Sequence, residues 1–166
     1  LDALTRREIP NFLGTLYYRT MSPRLKAKGD TVEYYKIPNT TEARSFPVSP
    51  ASDGAAALLY AEFARGENAY GVFLGGDAPL LRITSDNRNG RRIAVVKDSY
   101  GNAFVPYLAA HYEEVYVLDY RHYAGNIKSL IRDYRIQDLL FAFNTYVTVN
   151  SYTAQRANAF LTGIEQ

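Results

Sequence analysis

Three short apolar runs in the second half of the chain constrain its fold more than any other feature. They occupy residues 93–96, 115–118 and 139–143, and each is followed by a polar turn. Continuous apolar runs of this length are typical of strands that are buried on both faces, as in a parallel sheet covered by helices. We therefore predict that the three runs form neighbouring strands of a buried sheet.

The segments between these runs have helical spacing. Two sets of apolar residues recur at i, i+3, i+4 and i+7, namely Val105, Leu108, Ala109 and Tyr112, and Ile127, Leu130, Ile131 and Tyr134. This spacing places each set on one face of a helix. Residues 92–144 are therefore predicted to form a βαβαβ unit of an α/β fold, with a mainly parallel sheet and flanking helices. A last amphipathic set, Ala157, Phe160, Leu161 and Ile164, predicts a C-terminal helix that packs on the sheet.

The first half is less regular because prolines interrupt it at positions 23, 38, 47 and 50. Residues 31–37 and 80–84 are candidate strands. Ala56, Leu59, Tyr60 and Phe63 have the spacing of a helix face, and residues 39–53 are predicted to be a surface loop. The length of 166 residues suits a single domain.

Composition excludes several classes of function. A formal net charge of +2 is too small to indicate a nucleic-acid partner, and the short basic clusters at 6–7 and 88–92 are interpreted as solvated ends of elements. The chain has no Cys and two His, so we expect no metal site. No glycine pattern that cradles phosphate follows a strand, so no nucleotide or flavin cofactor is expected. No apolar run approaches the roughly 20 residues of a transmembrane helix.

Polar residues follow each predicted strand, where ligands of parallel α/β sheets bind. Three loops qualify, at 98–102, 119–123 and 144–145. Ser99 lies at a strand-to-helix turn, which holds a nucleophilic hydroxyl near backbone donors, and Gly101 allows close approach of a substrate. Asp98 and Ser99 are equally ordinary residues for capping a helix. The spacing alone leaves both interpretations open.

A serine nucleophile needs a base, and only two histidines are present. His111 falls late in the predicted helix, roughly 13 Å or more from its start. His122 follows the second strand and is the candidate base, although a structural, hydrogen-bonded histidine is an equally reasonable interpretation. Its neighbour Arg121 either pairs with Asp119 or meets an anionic substrate.

Tyrosines border the predicted crevice at positions 100, 120 and 123. Aromatic rings can stack on sugars, and phenol hydroxyls can bind them. Most of the 15 tyrosines are better assigned to packing, because a buried Tyr contributes a large area. We therefore expect substrate contact only from Tyr100, Tyr120 and Tyr123.

Four stretches of the chain resemble the bacterial DHHW proteins. They are residues 12–17, 70–76, 95–108 and 111–121, and the Lys-Asp-Ser-Tyr block at 97–100 is the most specific part. DHHW proteins are similar to the SGNH-like hydrolases and to the alginate O-acetyltransferases, in which an Asp-x-His pair precedes the serine. The resemblance implies a flavodoxin-like, SGNH-hydrolase-like fold and Ser99 as the nucleophile. It also implies that Asn144 donates to an oxyanion, although Asn at a strand end can equally cap the next helix.

The chain departs from the family at the motif that names it. The Asp-His-His-Trp motif is absent, and the chain contains no Trp. The resemblance starts just downstream of where that motif would lie, so we expect the chain to be the C-terminal portion of a longer SGNH-like protein. The missing N-terminal segment is then an expected partner, and the chain alone should be a poor catalyst.

Two hypotheses of function follow from the residues and the resemblance together. The first is serine-dependent ester hydrolysis or acyl transfer on an acylated cell-envelope carbohydrate, through an acyl-enzyme at Ser99. The second is a non-catalytic envelope module that binds glycan or protein through the same crevice. The resemblance also implies an extracytoplasmic location.

Overall fold

A five-stranded sheet forms the centre of the molecule, and its middle strands include two of the three apolar runs. The computed structural model describes residues 5–36, 40–45, 59, 63 and 69–162. Its strands are β1 (Thr5–Phe12), β2 (Asp30–Lys36), β3 (Thr40–Ser45), β4 (Leu80–Ser85), β5 (Arg92–Lys97), β6 (Glu114–Asp119) and β7 (Asp138–Ala142). Its α-helices are α1 (Thr15–Thr20), α2 (Pro23–Ala27), α3 (Ile127–Asp133), α4 (Thr145–Thr148) and α5 (Ser151–Thr162). The order of strands in the large sheet is β3-β4-β6-β5-β7.

The sheet is parallel only in part. Strand β5 pairs in parallel with both β6 and β7, as predicted for the second half of the chain. Strand β4 pairs antiparallel with β6, and β3 pairs antiparallel with β4. The prediction of a mainly parallel sheet therefore holds for β5, β6 and β7 but not for β3 and β4. The link at 86–91 is too short for the crossover that would make β4 parallel to β5, so the chain reverses direction there.

The first connection of the predicted βαβαβ unit is a pair of 3-10 helices, Ser99–Ala103 and Val105–Ala110, and not an α-helix. Pro106 has no N–H to donate to residue 102, so one continuous α-helix cannot run through this segment. The predicted apolar face is nevertheless the one that packs on the sheet. Val105 and Ala109 are fully buried against it, and Leu108 and Tyr112 are partly buried there.

The opposite face of the sheet is covered by α3 and α5. Asn126 caps α3 by accepting hydrogen bonds from the N–H groups of Lys128 and Ser129. Ile127 and Leu130 of α3 and Phe160 of α5 pack on this face. The predicted C-terminal helix is confirmed by α5, but Leu161 is 43% exposed and lies off the packed face. Ile164 lies outside the described residues.

The first half adds an antiparallel pair of strands, β1 and β2, which are joined through α1 and α2. Tyr34 of β2 packs with Val72 and Phe73 and so attaches this pair to the main body. The candidate strands at 31–37 and 80–84 correspond to β2 and β4. The predicted loop at 39–53 is wrong over Thr40–Ser45, where backbone pairing with β4 makes an edge strand. The rest of that segment lies outside the described residues.

The predicted helix face near residue 60 is only partly described. Leu59 forms an isolated antiparallel bridge with Phe73. Ala56 and Tyr60 lie outside the described residues. No helix within the described ranges is both long and apolar enough to cross a bilayer.

Candidate active site

The polar loops that follow β5, β6 and β7 lie at the same edge of the sheet. Because these strands are parallel and adjacent, their carboxyl ends coincide, and the register pairs Lys97 with both Asp119 and Ala142. The connection after β5 crosses one face of the sheet, and the helix after β6 crosses the other. A crevice forms where neighbouring connections diverge in this way.

Ser99 stands directly after β5, as the first residue of a 3-10 helix. Asp98 caps that helix, because its Oδ1 accepts a hydrogen bond from the N–H of Tyr100 at 2.9 Å. The cap is therefore the aspartate. Ser99 is partly exposed, and within the described part of the chain neither its hydroxyl nor its N–H makes a hydrogen bond. Both groups remain available to a bound molecule.

Asn144 is held by Asp98 beside the loop at 98–102, which we call the serine loop. The other carboxylate oxygen of Asp98 accepts hydrogen bonds from the backbone N–H and from Nδ2 of Asn144, both at 2.8 Å. The Oδ1 of Asn144 caps α4 by accepting the N–H of Val147 at 3.1 Å. These contacts determine the orientation of the amide, and among the described residues the second N–H of Nδ2 has no acceptor. The capping role is observed, and the oxyanion role stays a prediction.

A buried ion cluster supports the other side of the serine loop. The Lys97 ammonium, 2% exposed, donates to Asp119 at 2.9 Å and to Asp77 at 3.0 Å. Asn102 donates to the same oxygen of Asp77 at 2.8 Å. Lys97 precedes Ser99 by two residues and Asn102 follows it by three, so Asp77 clamps the loop on both sides.

Arg121 completes the cluster. Its guanidinium donates to both carboxylate oxygens of Asp119, at 2.8 and 2.6 Å, and to Asp77 at 2.6 Å. Of the two roles that the sequence allows for Arg121, the structure therefore shows the pair with Asp119. The Asp119 carboxylate is fully buried. It accepts hydrogen bonds from the Lys97 ammonium and from the guanidinium and backbone N–H of Arg121.

The cluster lowers the pKa of its carboxyl groups. Burial alone would raise the pKa of Asp119, but hydrogen bonds from Arg121 and Lys97 outweigh it and bring the pKa to about 2. Burial also raises the pKa of Asp77, but hydrogen bonds from Asn102 and Lys97 outweigh burial and lower that pKa below its ordinary value. Both carboxylates are therefore charged at neutral pH, and they act as anchors for the loops.

The other residues predicted for the site are less closely associated with Ser99. His122 is exposed, and no hydrogen bond joins it to Ser99 within the described ranges, so its role as base stays a prediction. Tyr120 is 7% exposed and lies in the core against Phe143, which corrects the expectation that its ring borders the crevice. Tyr123 is half-buried, with its ring against Phe160. Contact of these two rings with substrate is untested.

Exposed aromatic side chains lie next to the serine loop in a shallow cleft of about 320 Å³. Tyr100 is 71% exposed, Phe104 46% and Phe141 36%, and Gly101, Ala142, Phe143 and Asn144 complete the lining. Of the three tyrosines predicted to border the crevice, Tyr100 is therefore the most exposed. Gly101 has a packing role as well, because a Cβ there would lie 2.6 Å from the Cβ of Lys97.

Sequence reasoning missed Lys97, Asp77 and Asn102. One signal was available: Lys97 and Asp119 each end an apolar strand, and two opposite charges at adjacent strand ends are expected to pair. Asp77 follows a glycine turn that is distant in sequence, so nothing local linked it to the cluster. Among the described residues, no group of three or more His, Cys, Asp or Glu side chains is arranged to hold a metal ion.

Comparison with known proteins identifies relatives of this chain. The family model described as DHHW protein matches residues 1–118. The crystal structure of a DHHW family protein from Eubacterium siraeum is 32% identical, with a TM-score of 0.83, over 95% of this chain and 53% of that one. No curated protein matches the chain.

Two structures of Bacillus cereus PatB1 share the fold at greater distance. One, with a sulfonyl adduct, is 24% identical with a TM-score of 0.64, and the other is 25% identical with a TM-score of 0.65. Each match covers 86% of this chain, and 47% or 49% of PatB1. The chain thus spans about half the length of the solved structures that it matches.

Proposed function

The chain belongs to the DHHW family, and from this membership we propose that it carries the nucleophile of a serine-dependent esterase or acyltransferase. Ser99 would give its hydroxyl proton to a base and attack the ester carbonyl, so that the alcohol leaves and the acyl group stays on Ser99 as an acyl-enzyme. Attack by water or by a sugar hydroxyl then removes the acyl group and restores the serine. The proposed substrate class is an acylated carbohydrate of the cell envelope, and the proposed location is extracytoplasmic. Substrate class and location rest on resemblance.

The observation that carries this proposal is the setting of the Ser99 hydroxyl. It stands at the carboxyl end of a central parallel strand, partly exposed, and Asp98 performs the capping that would otherwise occupy it. The Ser99 N–H and the second N–H of Asn144 Nδ2 are donors by type for the negative charge that develops on the acyl oxygen. The contacts of Lys97 and Asn102 with Asp77, and of Asp98 with Asn144, hold the loop that carries Ser99.

The general base is the part of the mechanism that this chain supplies least well. His122 is the candidate within the chain, and its imidazole is exposed. The family resemblance places an Asp-x-His pair before the serine, and this chain spans about half of its solved relatives. We therefore propose that the stronger base lies in a segment corresponding to the half of the relatives that is not matched here. The isolated chain should then react slowly.

Covalent labelling tests the nucleophile directly. Sulfonyl fluorides sulfonylate activated serine hydroxyls, and a sulfonyl adduct is present in one PatB1 structure. We expect phenylmethylsulfonyl fluoride to label the chain once, at Ser99, and we expect labelling to be faster when the chain is extended to the length of its relatives. Intact mass and peptide mapping locate the label. Ser99→Ala should remove it, and Ser151→Ala, at an exposed serine, should not.

Turnover of p-nitrophenyl acetate by the extended chain gives the second measurement. Ser99→Ala should lower kcat/KM by about 100-fold or more, because nucleophile and base act as a unit. Turnover and labelling that are both unaffected by Ser99→Ala would remove the proposal.

A non-catalytic glycan-binding module is the second candidate function. The observation that favours it is the aromatic cleft, in which Tyr100, Phe104 and Phe141 present exposed rings. On this alternative, binding of acetylated glycan fragments persists in Ser99→Ala and is lost in Tyr100→Ala and Phe141→Ala, while no variant hydrolyses acetyl esters. Isothermal titration calorimetry on Ser99→Ala, Tyr100→Ala and Phe141→Ala separates the two functions.

A further inference from the structure

A second polar pocket lies at the opposite edge of the sheet from Ser99. It has a volume of about 390 Å³ and is lined by Arg82, Arg92, Glu114, Tyr116, Asp133, Tyr134 and Arg135. Arg92 begins β5 and Ser99 follows its end, so an extended strand separates the two regions by roughly 20 Å. The pocket is therefore separate from the crevice beside Ser99.

The charges in this pocket do not cancel. Glu114 forms ion pairs with both Arg82 and Arg92 and also accepts the Tyr116 hydroxyl. Asp133 is paired with Arg132, which is not part of the lining. The lining therefore carries three arginine charges against Glu114 and Asp133, and because Arg132 offsets Asp133, a surplus of two positive charges remains. Burial opposes ionisation of Glu114, but hydrogen bonds from Tyr116 and Arg82 lower its pKa. Glu114 is therefore ionised at neutral pH and is counted as one negative charge in this sum.

Arg135 contributes the third guanidinium from a strained backbone position. Helix α3 ends in a Schellman motif, in which the N–H of Ile136 bonds to the carbonyl of Ile131 and the N–H of Arg135 to that of Arg132. The residue after the cap is left-handed in this motif, and Arg135 has φ of 51°. Glycine is the usual residue there because a side chain costs about 1 kcal/mol or more. An arginine at this position places a cation at the pocket at a cost in stability.

Arg135 is exposed, and within the described part of the chain its guanidinium makes no ion pair or hydrogen bond. From this geometry we propose that the pocket binds the phosphate group of a small ligand. Guanidinium groups bind phosphate oxygens through paired hydrogen bonds, and a surplus of two positive charges matches a phosphate dianion. The volume exceeds that of a lone phosphate and lies within the range of small-molecule sites, about 300–1,000 Å³.

Substitution of Arg135 by glycine separates binding from stability. Arg135→Gly removes the cation and relieves the left-handed conformation, so the thermal midpoint should be unchanged or higher. Arg135→Asn also tolerates this conformation and removes the charge without adding the backbone freedom of glycine. Arg24→Ala removes one exposed charge from α2, outside the pocket, and serves as the matched control.

Binding of inorganic phosphate and of glucose 6-phosphate to the folded chain is measured by isothermal titration calorimetry at constant ionic strength. We expect saturable binding with Kd below about 10 mM, weakened at least tenfold in both Arg135 variants and unchanged in Arg24→Ala. Tighter binding of glucose 6-phosphate than of phosphate would show that the ligand extends beyond its phosphate. The proposal is overturned by absence of saturable binding, by equal binding of acetate, or by unchanged affinity in Arg135→Gly and Arg135→Asn.

Discussion

At the scale of single residues, the serine loop depends on Asp98. One side chain, 3% exposed, accepts three hydrogen bonds: one from Tyr100 and two from Asn144. It therefore caps the 3-10 helix that begins at Ser99, and it joins the carboxyl ends of β5 and β7. The sequence indicated the cap, because Asp before a helix is a local signal. The link to Asn144 spans 46 residues, and no local pattern indicates it.

We expect Asp98→Ala to lower the free energy of unfolding by about 2–3 kcal/mol, because three partly buried donors of Tyr100 and Asn144 lose their acceptor. Urea unfolding followed by circular dichroism measures the change. The exposed Asp86→Ala serves as control and should stay within about 0.5 kcal/mol of the parent chain. A loss no larger than that of the control would show that the Asp98 contacts do not stabilise the loop.

At the scale of elements, the 3-10 helix after β5 packs unusually close to that strand. Gly101 is buried over Lys97, and a Cβ at position 101 would lie 2.6, 3.2 and 3.3 Å from Cβ, Cγ and Cδ of Lys97. Lys97 cannot easily give way, because its ammonium is tied to Asp77 and Asp119. The sequence suggested that Gly101 admits a substrate, whereas the structure gives it a packing role.

Gly101→Ala should therefore destabilise the fold by about 1–3 kcal/mol through overpacking and should slow sulfonylation of Ser99. Gly14→Ala is the control, because the nearest atom to a Cβ there is 3.8 Å away. Urea midpoints and the labelling rate are measured on the same samples. If Gly101→Ala leaves both at parental values, the close packing has no influence on the serine loop.

At the scale of the whole molecule, ion pairs connect segments that are far apart in sequence. Lys97, Asp119, Arg121 and Asp77 join β5, β6 and the turn before β4, and Glu114 joins β6 to Arg82 and Arg92. Burial raises the pKa values of Asp77, Glu114 and Asp119, but hydrogen bonds from Asn102 to Asp77 and from Tyr116 to Glu114, together with these ion pairs, lower all three pKa values. Their contribution to stability is therefore present above the ordinary carboxyl pKa and is lost as protons bind in the folded state.

Stability should consequently fall between about pH 4 and pH 2, with on the order of 2 kcal/mol from Asp119, whose pKa is about 2. Urea midpoints at pH 6, 4, 3 and 2.5 measure this loss. Asp119→Asn should be less stable at pH 6, because it leaves the buried Lys97 with one carboxylate partner fewer, and its further loss in acid should be smaller. A parental midpoint that stays constant from pH 5 to pH 2.5 would contradict the assignment.

The apolar strands β5, β6 and β7, the packed faces of the segments between them, and the three loops at one edge could all be predicted from the sequence. These features follow from periodicity and from capping residues, which are properties of neighbouring positions. The antiparallel pairing of β4 with β6, the burial of Tyr120, the contacts of Asp77 and the pocket that contains Arg135 depend on the tertiary structure. Each of these depends on contacts between residues distant in the chain, and local spacing carries no information about which distant segments meet.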